Sequence, residues 1–178
     1  MLKLVSGQEI YTEVFEKGIR EARNSVWIAT ANVKNAAVLT GAKSSGPFLD
    51  MFETLLARGV EIRLLHSGVP SERFLMELRG RPELVRSPLF GMKKCVRSHF
   101  KCVLVDGRMM YVGSANLTGA GMGMKSERKR NFELGVISDE DRLMDETAAF
   151  FDSIWHGEFC GSCRRTKDCP VPLESPEF

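Results

Sequence analysis

Apolar residues recur along the chain at two periods, and the switches between them mark out helices and strands. After Ser6-Gly-Gln-Glu9, which has the form of a capping box, Ile10, Val14, Ile19 and Ala22 return at helical spacing and predict a first helix over 7–22. The short apolar run Val26-Trp-Ile-Ala-Thr-Ala31 suits a buried strand. Pro47 at a helix start, the stripe Phe48, Met51, Phe52, Leu55 and Leu56, and a stop at Gly59 predict a second helix, with a strand over 60–65 behind it. Ser71 to Leu78 predicts a shorter third helix closed by Gly80, and the Pro-containing stretch to Gly91 reads as loop with a marginal strand.

From Lys94 to Gly113 two apolar, β-branched runs flank Asp106-Gly107, a residue pair suited to a tight hairpin turn. A glycine-rich, basic stretch from Gly119 to Arg130 precedes a strand over 132–137. Ser138 is then placed to cap a last helix whose Leu143, Thr147, Phe151, Ile154 and Trp155 share one face. Helices interleaved with strands and followed by a hairpin-rich half predict an α/β fold, a mixed β-sheet sandwiched between helices. At 178 residues and 43% apolar content the chain has room for one well-buried domain, placed at 1–155, followed by a short Cys-rich tail at 156–178. There is no internal repeat.

A net charge of +2 means that affinity for a polyanion must come from local clusters of Lys and Arg. The amino-terminal text lacks the apolar stretch of a signal peptide, and no apolar run reaches membrane-spanning length, so a cytoplasmic protein is expected. Five cysteines in a reducing compartment argue against a disulfide framework. Cys95 and Cys102, in apolar strand-like text, read as core residues.

The chemistry concentrates after residue 98. Reading from His99, the chain follows the pattern H-x-K-x4-D-x6-G-S-x-N without a gap, ending at Asn116. Residues two apart in a strand face the same side, so His99 and Lys101 stand together, and Ser114 and Asn116 repeat the spacing where the second hairpin strand runs out. An imidazole, an ammonium, a hydroxyl and an amide together make a cradle for an anion.

This pattern is the HKD signature of the phospholipase D superfamily, and Asn131-Phe-Glu133 resembles that family's N-x-E element. The resemblance covers 94–137 at the level of motifs and 5–155 by order of elements. It implies a phosphodiesterase with His99 as covalent nucleophile, Lys101 and Asn116 as phosphate ligands, Glu133 as the group that orients His99, and Asp106 as an orienting, structural member of the motif. Such chemistry needs no cofactor. In the family the leaving oxygen is protonated by the histidine of a second HKD motif. This chain has one, and His66 and His156 lack the neighbouring lysine, so a homodimer with both His99 side chains near the two-fold axis is expected.

Fold and motif leave the substrate open. Lys93, Lys94 and Arg97 flank the nucleophile, and Lys125, Arg128, Lys129 and Arg130 lie on the loop before Glu133, a ring of charge suited to a nucleic-acid backbone. Small single-motif members of the family resemble bacterial endonucleases of low sequence specificity, which favours DNA. The alternatives are a phospholipase D or cardiolipin-type lipid hydrolase, with Met109, Met110, Met122 and Met124 as its apolar contacts, and a non-catalytic nucleic-acid-binding module. A membrane partner is disfavoured.

The tail carries a second pattern, H-x3-C-x2-C-x5-C, built from His156, Cys160, Cys163 and Cys169. It resembles the histidine-and-three-cysteine [4Fe-4S] segment of iron-only hydrogenases and of the large complex I subunit, and it suits tetrahedral zinc as well. A metal there would be structural or regulatory. Pro170 to Phe178 reads as a flexible end.

Overall fold

The structure, a computed structural model, describes residues 1–34, 37–39, 45–165 and 167–169. The end expected to be flexible, Pro170 to Phe178, lies outside the described residues.

A seven-stranded mixed sheet runs in the order β1-β9-β8-β7-β2-β5-β6. Its strands are β1 (Leu2–Ser6), β2 (Ser25–Thr30), β5 (Glu61–His66), β6 (Phe90–Lys94), β7 (Cys102–Val105), β8 (Met109–Gly113) and β9 (Leu134–Ser138), while β3 (Ala37–Leu39) and β4 (Ser45–Pro47) form a separate ribbon. β2, β5 and β6 are parallel, and the remaining pairs in the sheet are antiparallel.

One face of the sheet carries the main core. Val26, Ile28, Ile62, Leu64, Val103, Val105, Tyr111 and Ile137 all point to that side. It is covered by α1 (Gln8–Ile10) with the π-helical turn Tyr11–Glu16 that continues it, and by α2 (Phe48–Ala57), α3 (Glu72–Arg79) and α4 (Pro82–Arg86). The other face is covered by α5 (Asp141–Trp155). Phe151 stacks on Trp27 and on Trp155 at 5.4 and 5.8 Å, and Met144 packs on Leu104 and Met110. Arg63 completes this layer, its guanidinium 4.4 Å from the Trp27 ring and paired with Asp152 at 2.8 Å. α5 leaves the β1–β9 end of the sheet uncovered, so Leu4, Val112 and Leu134 stay exposed there.

Several expected boundaries shift, each for a tertiary reason. Ser6 ends a strand instead of capping a helix, because β1 pairs antiparallel with β9 over its whole length. The expected 7–22 helix is broken into short α, π and 3-10 turns, interrupted at Gly18, where the Met109 side chain presses on the backbone. Ser138 ends β9, and its Oγ accepts from the N–H of Glu140, the residue that precedes α5. The stretch to Gly91, read as loop with a marginal strand, contains α4 and the first residues of β6. The hairpin is confined to β7 and β8; Lys94 pairs with His66 instead. Ser71 does cap α3, accepting from Phe74 N at 3.3 Å.

Candidate active site

The carboxyl ends of β2, β5 and β6 meet the start of β7 at one end of the sheet, the place where open α/β sheets hold ligands. Strand register builds a row across this end. Thr30 lies opposite His66, and His66 opposite Lys94. Continuing the β2–β7 register by one residue places Lys101 beside Thr30. By alternation these four side chains face the main-core side.

His99 and Lys101 precede the paired part of β7, although the Lys101 carbonyl still accepts from Gly113 N at 3.2 Å. Lys101 is 9% exposed, whereas His99 is exposed. The ammonium donates to the His99 carbonyl at 2.7 Å and stands 3.3 Å from His99 Nδ1. Asn116 is held through its carbonyl oxygen, which accepts from Ala31 N at 3.1 Å and Asn32 N at 3.0 Å. Its amide N–H groups are therefore the end presented to an incoming anion. Thr30 locks the same corner, accepting from Leu117 N at 2.9 Å and donating to Asn32 O at 2.9 Å.

Ser114 and Glu133 are bonded directly, Oγ to Oε2, and Asn131 Nδ2 donates to Glu133 Oε1 at 3.0 Å. No hydrogen bond joins Glu133 to His99 among the described residues. Within one chain the carboxylate is engaged by Ser114 and Asn131.

Asp106 stands apart, at the opposite end of β7, about 16 Å along the strand from Lys101. Asp106 and Gly107 both have positive φ, 55° and 60°, and Arg108 N donates to Val105 O at 2.9 Å, which makes a type I′ turn. The Asp106 carboxylate accepts from the N–H groups of Arg23, Asn24 and Ser25 at 2.7–3.1 Å and pairs with Arg108 at 3.3 Å. Burial pushes its pKa up, but the three N–H donors and Arg108 outweigh burial and hold it below the usual range. Asp106 ties the hairpin to the loop entering β2.

The basic residues divide between the two faces. Lys94 lies in the site row, close enough to act electrostatically on His66. Lys93 turns the other way, donating to Trp155 O at 3.1 Å. Arg97 also turns away and lines a cavity beside Cys163. Lys125, Arg128 and Lys129 are exposed on the glycine-rich loop, and Arg130 reaches Gln8 Oε1 at 3.5 Å.

Three residues of this region were not assigned to the site from the sequence. Thr30 and His66 each end an apolar strand run with a polar side chain, and both are buried. That position, the polar last residue of a buried parallel strand, was the available signal. His66 Nδ1 is 2.9 Å from Gly68 O, and its Nε2 is buried without a partner among the described residues. Burial pushes its pKa down, and the Lys94 charge adds to this against the Gly68 carbonyl. Tyr111 lies under the site. Burial pushes its phenol up to about 12, with the Ala115 N–H opposing and the Glu133 charge adding.

The tail packs on the α5 side. Cys95, Cys160, Cys163 and Cys169 border one cavity there, whereas His156 stands on the end of α5 with Nε2 3.4 Å from Asp152. Cys102 is buried in the sheet, and burial pushes its thiol up to about 12.

The family described as cardiolipin synthase, PLD-like domain matches residues 16–155. No curated protein matches the chain by sequence. Among solved structures, NucT from Helicobacter pylori superposes with a TM-score of 0.61 at 14% identity, over 86% of this chain and 94% of that one. Nuc from Salmonella typhimurium, a phospholipase D family member, gives 0.57 at 18% identity over 87% and 95%. Phosphatidylserine synthase from Haemophilus influenzae Rd KW20 gives 0.62 at 15% identity over 86% of this chain and 36% of that chain. No helix among the described residues is long and apolar enough to cross a membrane.

Proposed function

Because the chain belongs to the phospholipase D-like family, we propose that it is a phosphodiesterase, a nucleic-acid endonuclease of low sequence specificity that works as a homodimer through a phosphohistidine. The observation that carries this reading is the convergence of His99, Lys101 and Asn116 at one sheet end, with Asn116 fixed so that its amide donors face outward.

With substrate absent, the Lys101 ammonium donates toward His99 Nδ1, which leaves the ring proton on Nε2. A phosphodiester arriving between Lys101 and Asn116 draws the ammonium onto a phosphate oxygen. Nδ1 of the exposed ring then takes a proton from water while Nε2 gives its own to water, and Nε2 becomes the nucleophile. Attack of Nε2 on phosphorus forms the N–P bond as the P–O bond to the leaving group breaks. The charge on the non-bridging oxygens is met by Lys101 and Asn116. The leaving oxygen takes its proton from a second histidine. That group, now a base, accepts a proton from the water that splits the phosphohistidine and regenerates His99.

A single HKD motif per chain makes the second histidine the same residue of another copy. The exposed apolar row of Leu4, Val112 and Leu134, which starts one residue from Glu133, supports burial against such a copy. Lys94 on the site row and the exposed Lys125, Arg128 and Lys129 support a polyanionic substrate over a lipid.

The test is one incubation series in EDTA against plasmid, single-stranded DNA, RNA and anionic phospholipid micelles. Nucleic-acid cleavage that persists in EDTA and falls at least about 1,000-fold in His99→Ala is expected. Cleavage confined to the micelles would install a lipid hydrolase instead. Binding of DNA without turnover by either protein would reduce the chain to a binding module.

A further inference from the structure

Four of the five cysteines, from two segments more than 60 residues apart, surround one void. Cys95 comes from the turn after β6; Cys160, Cys163 and Cys169 come from the tail after α5. Together with Phe150 and Ile154 they border a cavity of about 250 Å³.

Each cysteine is fixed by its backbone. Cys95 N donates to His66 O at 2.8 Å, and Cys95 O accepts from Ser98 N at 2.9 Å, so it sits on the turn that leads into His99. Cys160 N donates to Gly157 O at 2.9 Å and Cys163 N to Cys160 O at 3.0 Å, two successive turns that carry the C-x2-C pair. Cys169 is buried, with Sγ 3.9 Å from Lys94 O. His156, the expected fourth ligand, is 59% exposed and does not border the cavity. The set that the fold assembles is four thiols, with Cys95 in the place expected of His156.

An all-thiolate set selects zinc or an iron–sulfur cluster. A lone tetrahedral zinc at about 2.3 Å from each sulfur draws the four sulfurs to within about 4 Å of one another and leaves no void. Among the described residues no group of three or more His, Cys, Asp or Glu side chains is arranged to hold a single metal ion. A cubane cluster sits between its thiolates and occupies the space that separates them. The Arg97 guanidinium beside Cys163 supplies a donor for the negative charge of such a cluster.

We propose that Cys95, Cys160, Cys163 and Cys169 hold a [4Fe-4S] cluster that fastens the tail to the turn preceding His99. The experiment uses the full chain purified without oxygen, with iron, acid-labile sulfide and zinc measured per chain and the visible absorption recorded. About four iron and four sulfide with a brown colour are expected. Cys95→Ser and Cys163→Ser should each lose the colour and most of the iron, whereas His156→Ala keeps both. Circular dichroism on each variant separates loss of the cluster from loss of the fold, and the Cys163 variant serves if Cys95→Ser does not fold. Full iron in folded Cys95→Ser, colour lost in folded His156→Ala, or parent protein carrying zinc or no metal would each overturn the proposal.

Discussion

His66 shows what a single buried ring does to the behaviour of the protein. Its Nε2 is enclosed beside Lys94 with no acceptor among the described residues, so a second ring proton would be a buried charge next to another cation. The folded-state pKa lies below the ordinary value of 6.5, so between the two values the unfolded chain binds a proton that the folded chain refuses. The stability contributed is complete above the unfolded pKa and is lost as pH falls from about 6.5 down through the lower folded-state pKa, with a limiting slope of about 1.4 kcal/mol per unit. His66→Asn, whose amide can replace the Nδ1 bond to Gly68 O, should remove that slope. Urea titrations of both proteins from pH 8 to 5 check it; equal slopes would mean that His66 is not the group. Residues of this kind were hard to read from the chain, because what matters is who faces whom across strands. His99, Lys101 and Asn116 were legible because their spacing is local, within eighteen residues of one hairpin. The partners of Glu133 and the side taken by Arg97 were not, since each depends on loops folding back from elsewhere.

At the scale of elements, the floor of the site is made by one aromatic ring and two missing side chains. Tyr111 lies across Gly113 and Gly135, which face each other in the β8–β9 register, and a Cβ on either would collide with the ring or its hydroxyl. Gly135→Ala should therefore lower stability by about 2–4 kcal/mol, measured by urea unfolding, since neither the paired backbone nor the buried ring can yield. Unchanged stability would show that the ring has room to swing. The strongly periodic helices, α2, α3 and α5, could be read from the chain, as could the Asp106-Gly107 turn, because propensity, stripe and stop agree there. β1 could not. Five residues that alternate weakly become a strand only through a partner near the other end of the domain, and the same pairing takes Ser6 away from the helix it seemed to cap.

For the whole molecule, a site that requires two copies makes activity a function of concentration. Specific activity should fall on dilution in step with the loss of the dimer seen by light scattering, and a monomer with full turnover would refute the shared site. The overall architecture was readable because a mixed sheet between helices follows from the order of elements. The way the tail folds back on the β6–β7 turn was not, because nothing local ties Cys95 to Cys169. The pairing of β1 with β9 also governs how the chain comes into being. During synthesis Leu2, Leu4 and Val5 emerge well before their partner strand, which is about 130 residues away and follows between about 6 and 26 s later at ordinary synthesis rates. Throughout that interval these β1 residues lack the strand they pair with in the fold. During translation this strand is open to pairing with other chains, well before there is a site to protect.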